Sequence, residues 1–307
     1  MLKYFRKGSR RFARTTLALS ICILAVVLAG IVGCLASPPS QAKVDKRFAD
    51  STMESPSFQT YAWQGHSCFY AESGQSEQTP VIFIHGSPGS WDNFLTFFSS
   101  PPLREVARLV AVDRPGFGRS SDTGPVRSLE NQSEALAAVL PDPGSSHKAI
   151  LVGHSLGGAV AVRLAVDYPE RVGGLLLVAP SISPELEKLR WYNRLAAFPA
   201  VKWILPRSFR HSNEEILPLK AELEKLEPHI PDIAIPIIVI QGMRDRLVPP
   251  GNADYVAEHF SSASVDVRKD PELNHFIPWT RPGLIEEAVL ELLKRQPRPD
   301  PAAPLQP

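Results

Sequence analysis

Cysteine is scarce in this chain of 307 residues, which contains three. Cys22 and Cys34 lie within and at the end of a long apolar run, so Cys68 is the only cysteine in the rest of the chain. A disulfide therefore cannot form within the globular part. Cys68 falls in a predicted early strand, where we expect it to be a small buried hydrophobic residue.

Positive charge is also scarce outside the N-terminal segment. Six of the 33 basic residues and none of the 32 acidic residues precede residue 34, so the rest of the chain has a net charge of −5. This mildly acidic body argues against binding to nucleic acid. We expect no cofactor, and we expect no metal site because five histidines have no partner at the spacing of metal ligands. These are His66, His147, His211, His229 and His259.

Residues 1–35 have the layout of an export signal or membrane anchor, with a basic region, an apolar core and then small residues. In one outcome the chain is cleaved before Cys34, because Ile31-Val32-Gly33-Cys34 resembles the lipobox of bacterial lipoproteins, and Cys34 carries a lipid. In the other, the 19 apolar residues 17–35 stay as a span of just sufficient length, and Cys34 is there by chance. Either outcome tethers the protein to a membrane on its non-cytoplasmic side, periplasmic or extracellular.

The composition of the remaining chain predicts three parts. Residues 36–57 are rich in serine, proline, glutamine and charge, which is typical of a flexible tether. Residues 58–295 are predicted to form one globular domain. Residues 296–307 contain five prolines and are predicted to form a disordered tail.

Short apolar runs alternate with amphipathic helical patterns in the domain, which predicts an α/β fold with a mostly parallel sheet flanked by helices. The predicted strands include residues 61–71 (a strand or hairpin), 81–84, 109–112, 175–178, 237–240 and 265–267. The alternation stops over about residues 181–231, where helical stretches rich in aromatic residues predict a small cap. We expect the cap aromatics either to line an apolar substrate channel or to pack the cap onto the domain. They include Trp191, Tyr192, Phe198 and Trp203.

The sequence Gly153-x-Ser155-x-Gly157 follows a buried apolar run and precedes a helical pattern. In this context it is typical of a nucleophile elbow, a turn so sharp that the serine hydroxyl stands clear of the sheet. Glycines are needed because side chains two residues either side of the serine would collide with the neighbouring strand or helix. The helix also directs its N-terminal N–H groups and positive dipole end at Ser155, which suits a developing oxyanion.

Two later residues can complete a catalytic set. A serine hydroxyl is a weak nucleophile and needs a base that a third group orients. Asp245 directly follows one predicted strand and His275 follows the last one, and the carboxyl ends of parallel strands meet at one edge of a sheet. We therefore expect Ser155, Asp245 and His275 to converge. Asp113 precedes the elbow and is predicted to cap its own turn.

Five motifs in this order resemble the α/β-hydrolase superfamily over about residues 59–294. They are His85-Gly86-x-Pro-Gly, Asp113-x-Pro-Gly-x-Gly-x-Ser120, Gly153-x-Ser-x-Gly157, Gly242-x-x-Asp245-x-x-Val-Pro and the late His275. The resemblance implies the α/β-hydrolase fold with a cap, Ser155 as nucleophile, His275 as general base and Asp245 as its orienting carboxylate. It also implies an oxyanion hole built from the backbone N–H groups of Ser87 and Leu156. Asn274 departs from the pattern, since relatives commonly have glycine before the histidine.

A serine at the elbow favours acyl chemistry, in which an acyl-Ser155 intermediate forms and water activated through His275 hydrolyses it. Epoxide hydrolases and haloalkane dehalogenases of this fold have aspartate there instead. We expect a membrane-tethered serine hydrolase of the esterase or lipase type, whose partner is a small acyl ester, lipidic esters included. Two alternatives stay open. One is a C–C bond hydrolase or cofactor-free perhydrolase with the same three residues, and the other is a non-catalytic binding protein.

Overall fold

The computed structural model describes residues 38–296, which form an eight-stranded sheet with helices on both faces. Its strand order is β1-β2-β4-β3-β5-β6-β7-β8. The strands are β1 (Ser57–Trp63), β2 (His66–Ser73), β3 (Thr79–Ile84), β4 (Ala107–Val112), β5 (Ala149–His154), β6 (Val172–Val178), β7 (Ile237–Gly242) and β8 (Val265–Asp270).

The sheet is antiparallel at one edge and parallel elsewhere. β1 and β2 form the predicted hairpin, and β2 pairs with β4 in the antiparallel sense. From β4 to β8 every neighbouring pair is parallel, so these strands end at the same edge of the sheet. The predicted α/β architecture is therefore confirmed, and all loops that follow the parallel strands start on one side.

Alternate residues of the central strands β3 to β7 enter two separate cores. In β3, Ile82 and Ile84 belong to the core on one face, and Val81 and Phe83 belong to the core on the other. Because side chains alternate along a strand, a strand buried on both faces has a continuous apolar sequence. This explains why apolar runs, rather than alternating ones, identified the strands.

Ten α-helices cover these cores or extend above them, with short 3₁₀ segments between them in the described range. They are α1 (Gln41–Phe48), α2 (Pro101–Val106), α3 (Leu129–Leu136), α4 (Leu156–Asp167), α5 (Trp191–Ala196), α6 (Pro199–Ile204), α7 (Arg207–Leu226), α8 (Gly251–His259), α9 (Ile277–Thr280) and α10 (Pro282–Arg295). Helices α5, α6 and α7 lie between β6 and β7, in the segment predicted to form the cap.

Part of the predicted tether is a packed helix, so the prediction of a flexible linker over residues 36–57 is wrong for this part. In α1, Val44 and Phe48 are buried in the core that also contains Phe83. These two residues are four positions apart and therefore lie on one face of the helix. The composition of the segment concealed this short apolar stripe, and burial against the domain stabilises it.

The predicted anchor or signal (1–35), its Cys34 and residues 297–307 of the predicted tail lie outside the described residues. Within residues 38–296, no helix combines the length and the apolar character that a membrane crossing requires.

Candidate active site

Ser155 lies in a tight turn between β5 and α4. Its backbone has φ 56° and ψ −127°, a left-handed region that is strained for a residue with a side chain. The Ser155 N–H donates to the Val178 carbonyl at 3.0 Å, and the Gly158 N–H donates to the Ser155 carbonyl at 2.9 Å. The turn is thus held from the neighbouring strand and from the helix that follows.

The two glycines of the elbow allow this close approach. A Cβ atom on Gly153 would lie 2.5 Å from the Gly157 carbonyl oxygen, and one on Gly157 would lie 2.3 Å from the Ile84 carbonyl oxygen. Both distances are too short for non-bonded atoms, and in each case the obstacle is backbone. The steric requirement expected from the sequence is therefore present at both positions.

Gly157→Ala is expected to destabilise the protein by about 3 kcal/mol, the upper end for overpacking, because the backbone of β3 would have to move. Urea unfolding measures the change. Gly283→Ala is the matched control in the first turn of α10, since nothing lies within 4 Å of a Cβ atom there. An equal effect of the two substitutions would contradict the steric explanation.

His275 and Asp245 meet across the loops that follow β8 and β7. The His275 Nδ1 and Asp245 Oδ2 atoms are 2.7 Å apart, and both side chains are buried. The second oxygen, Asp245 Oδ1, accepts the N–H groups of Leu247 at 2.8 Å and Val248 at 2.9 Å. The carboxylate is therefore fixed by its own loop and holds the orientation of the imidazole.

A cavity of about 540 Å³ joins the residues that the sequence singled out. Ser155, His275, Ser87 and Leu156 all line it. Leu156 is the first residue of α4, and its N–H group consequently has no acceptor within the helix. The structure thus brings the predicted nucleophile, base and oxyanion residues to one cavity, with Asp245 behind His275.

His154 contacts both the main chain and the ring of His275. Its Nε2 atom lies 3.0 Å from the His275 carbonyl oxygen, and the two rings are 4.8 Å apart. Burial, followed by the charge of His275, lowers the pKa of His154 to about 3. The ring is therefore neutral, and its Nε2–H donates to the carbonyl, so His154 holds the main chain that carries the candidate base.

A family model described as the alpha/beta hydrolase fold matches residues 79–201. This match spans β3 to α6 and includes the elbow. The chain has the fold of the α/β-hydrolase superfamily.

Curated proteins similar to this chain carry several different names. The dihydrolipoyllysine-residue acetyltransferase component of the acetoin cleaving system of Cupriavidus necator is 41% identical over 111 residues, 36% of this chain and 29% of that protein. The sn-1-specific diacylglycerol lipase ABHD11 of Danio rerio is 34% identical over 115 residues, 37% of this chain and 34% of that protein. The chain therefore spans about a third of the length of these two relatives.

Two longer matches cover most of the α/β-hydrolase domain. The 2-hydroxy-6-oxo-6-phenylhexa-2,4-dienoate hydrolase of Burkholderia cepacia is 26% identical over 264 residues, 72% of this chain and 89% of that protein. The crystal structure of a membrane phospholipase A, described as a bacterial virulence factor, superposes with a TM-score of 0.57 at 22% identity, covering 94% of this chain and 100% of that one. At that identity the structural likeness shows the fold alone.

The loop that carries Ser87 is held by the buried Arg114 of the α/β-hydrolase core. The Arg114 side chain donates to the carbonyl oxygens of His85 and Gly86, each at 2.9 Å, and its own N–H donates to His85 Nε2 at 3.0 Å. Burial and the charge of Arg114 keep the pKa of His85 well below its usual value, so this ring is neutral. Asp113 accepts the N–H groups of Trp91 and Arg119 at 2.8 Å, and it therefore caps its own turn as predicted.

Glu215 of α7 in the cap contacts the same loop, and this residue was missed in the sequence. Its carboxylate lies 3.1 Å from the Arg114 guanidinium and accepts from Ser87 Oγ at 3.0 Å. Burial raises the pKa of Glu215, and the charge of Arg114 opposes that rise. No local pattern marks the pair, because the partners are 101 positions apart in the chain.

The cap aromatics as a group neither line the cavity nor pack the cap onto the domain, which were the two predicted roles. Tyr192 lines the cavity, but Trp191, Phe198 and Trp203 are 75%, 64% and 86% exposed. The cavity side of the cap is instead formed mainly by smaller apolar residues, among them Leu195, Val201, Leu205, Ile216 and Leu219.

Within residues 38–296, no three His, Cys, Asp or Glu side chains are grouped so that they could hold a metal ion. The five histidines that have no metal-ligand spacing in the sequence do not line the cavity. His211, for example, donates from Nδ1 to the Gly116 carbonyl at 2.7 Å.

Proposed function

We propose that the protein is a membrane-tethered serine hydrolase that cleaves carboxylic acyl esters. The observation that carries the proposal is the 2.7 Å contact of His275 with Asp245 beside a cavity that Ser155 also lines. A base held by a buried carboxylate next to a serine on a strained turn is the arrangement that activates a hydroxyl for attack.

The proposed reaction has two halves. His275 takes the proton of the Ser155 hydroxyl as its oxygen attacks the ester carbonyl, and the backbone N–H groups of Ser87 and Leu156 stabilise the oxyanion. Collapse of this intermediate breaks the ester C–O bond, and the alcohol leaves with the proton from His275. Water then gives a proton to His275 and attacks acyl-Ser155. The bond between the Ser155 oxygen and the acyl carbon breaks, His275 returns the proton to the Ser155 oxygen, and the carboxylic acid leaves.

The cavity lining and one relative support an acyl substrate with an apolar chain. The lining surface is mainly apolar, although charged cap residues such as Glu187, Lys188 and Arg190 also border the cavity. This is the usual pattern of a site in which apolar contacts supply binding and a few polar atoms orient the reacting group. The diacylglycerol lipase among the relatives supports the same substrate class.

A C–C bond hydrolase is the second candidate, because the dienoate hydrolase relative aligns over 72% of this chain. A panel of p-nitrophenyl acyl esters of increasing chain length, compared with vinylogous diketones, separates the two. We expect turnover of the esters and none of the diketones. Turnover of the diketones alone would replace the ester proposal with C–C cleavage, and no turnover of either class would favour a binding protein.

The membrane tether is proposed from the sequence. A lipid on Cys34 would attach the protein to the membrane, with the domain on the non-cytoplasmic side. Cys34→Ser is expected to abolish incorporation of labelled palmitate in a bacterial host, because the thiol that would carry the lipid is gone. Cys22→Ser, within the same apolar run, is the matched control and is expected to keep the label. Unchanged incorporation in Cys34→Ser would discard Cys34 as the lipidated residue, and an unlabelled wild type would favour an uncleaved anchor.

A further inference from the structure

The cap carries an unusual concentration of exposed apolar side chains. Among the described residues, thirteen large hydrophobic side chains are exposed, and eight of them lie between residues 189 and 209. Three of the eight, Tyr192, Leu195 and Phe209, also line the cavity, whereas the other five do not. We call residues 188–210 the cap surface. Trp203 is 86% and Trp191 is 75% exposed, whereas a soluble protein normally buries indole rings. Apolar patches of this kind mark interaction sites.

The same residues are strongly basic. The cap surface contains six lysine and arginine residues and no aspartate or glutamate, although the chain after residue 34 has a net charge of −5. Lys202 pairs with Glu214 and Arg207 pairs with Asp122. Even when both carboxylates are counted, four positive charges remain, and two of these, Lys188 and Arg190, border the cavity. The binding partner of the cap surface must therefore accept aromatic side chains and carry negative charge.

We propose that the cap surface docks onto a bilayer that contains anionic lipids, with Trp191, Phe198 and Trp203 inserted at the level of the headgroups. Short helices with Trp, Phe and Leu beside Lys and Arg are the kind that lie in this interface. The aromatic rings gain apolar surroundings while the indole N–H stays near polar groups. The basic residues are attracted by the negative surface potential.

The start of the described chain is connected to this surface through the loop of residues 119–122. The Pro39 carbonyl accepts from the Arg119 side chain at 2.8 Å, and Asp122, three residues later, pairs with Arg207 at the beginning of α7. Because α1 is packed on the core, residues 36–40 are all that separates the apolar run from the domain. Five residues reach at most about 17 Å when extended. An anchor in residues 17–35 would therefore hold the cap close to the bilayer.

Docking also determines how a substrate reaches the cavity. The helices that present Trp191 and Trp203 outward present Leu195 and Val201 to the cavity that Ser155 lines. In the docked position, a single layer of cap helices would thus separate the bilayer from the apolar wall of the cavity. An acyl chain that leaves the bilayer has only this layer to pass. The substrate class that follows is the acyl ester of a bilayer lipid. This last step rests on the proposed function, whereas docking itself does not.

Fluorescence quenching tests the docking in the full-length protein. The chain is reconstituted into vesicles of phosphatidylcholine brominated on its acyl chains, with or without phosphatidylglycerol. The difference between the wild type and Trp203→Ser isolates the emission of Trp203, and its exposure makes that substitution mild. We expect Trp203 to lose most of its emission in phosphatidylglycerol vesicles, and to regain it when Arg194→Glu is introduced or salt is raised.

Val106→Trp is the matched control. Val106 is 47% exposed and directly precedes β4, at the end of the sheet opposite the cavity, so its added indole should not be quenched. Equal quenching at positions 106 and 203, or none at 203, would overturn the proposal. Cross-linking between copies through position 203 would assign the cap surface to self-association and also overturn it. Because quenching is read without turnover, a failure here is separate from a failure of the ester assay.

Discussion

Replacing Ser155 by alanine is expected to lower ester turnover by about 10⁶-fold and to abolish labelling by a fluorophosphonate. Alanine keeps the Cβ atom, so the strained turn at φ 56° keeps its packing, but the oxygen that attacks the carbonyl is gone. The measurements are kcat on a p-nitrophenyl ester and the mass of the protein after exposure to the probe. Urea unfolding should show an unchanged free energy of unfolding.

Ser181→Ala is the control for this result. Ser181 lines the same cavity, but its hydroxyl donates to Glu187 at 2.6 Å rather than facing a histidine. The variant should still be labelled by the probe. If Ser155→Ala keeps its label and Ser181→Ala loses it, the nucleophile is Ser181 and the proposed mechanism is wrong.

Replacing Glu215 by alanine is expected to cost about 3–5 kcal/mol of unfolding free energy, because it leaves a buried guanidinium without its counter-charge. The Arg114 side chain is fully buried and Glu215 is 1% exposed, so water cannot replace the lost carboxylate. Turnover should also fall, since Ser87 Oγ loses its acceptor and the loop of the proposed oxyanion hole loses its contact with the cap. Urea unfolding and kcat measure the two effects.

Glu224→Ala is the matched control on the same helix. Its carboxylate pairs with Lys220, four residues earlier, and both side chains are more than half exposed, so the loss should be below about 0.5 kcal/mol. Glu215→Gln should fall between the two, because the amide oxygen can still accept from Ser87 and Arg114. A Glu215→Ala loss no larger than that of Glu224→Ala would show that the buried pair does not hold the cap.

The sequence predicted the parts of this structure that local patterns encode. Continuous apolar runs located the buried strands, and each predicted strand after residue 80 lies within an observed one. The convergence of Ser155 with His275 followed from the chain order and from the rule that parallel strands end at one edge. Burial on both sheet faces made each of these signals strong.

What the sequence did not reveal depends on contacts between distant segments. Glu215 looks like an ordinary charged residue of a helix until α7 is placed over Arg114. Val44 and Phe48 are only two apolar residues in a polar stretch, and their burial requires a core formed by residues that follow them. The aromatic cap residues suggested burial by their type, yet side-chain type alone does not show which face of a short helix meets the domain.

The contact between Arg114 and Glu215 also constrains how this protein can change. The cap is inserted between β6 and β7, which are neighbours in the sheet, so its length can vary without disturbing strand registration. A cap transplanted from another protein with the α/β-hydrolase fold would still have to bring an acidic group to the place of Glu215. Otherwise position 114 has to change in the same step. Exchange of caps, and with it a change of substrate range, consequently requires compatible residues at both positions 114 and 215.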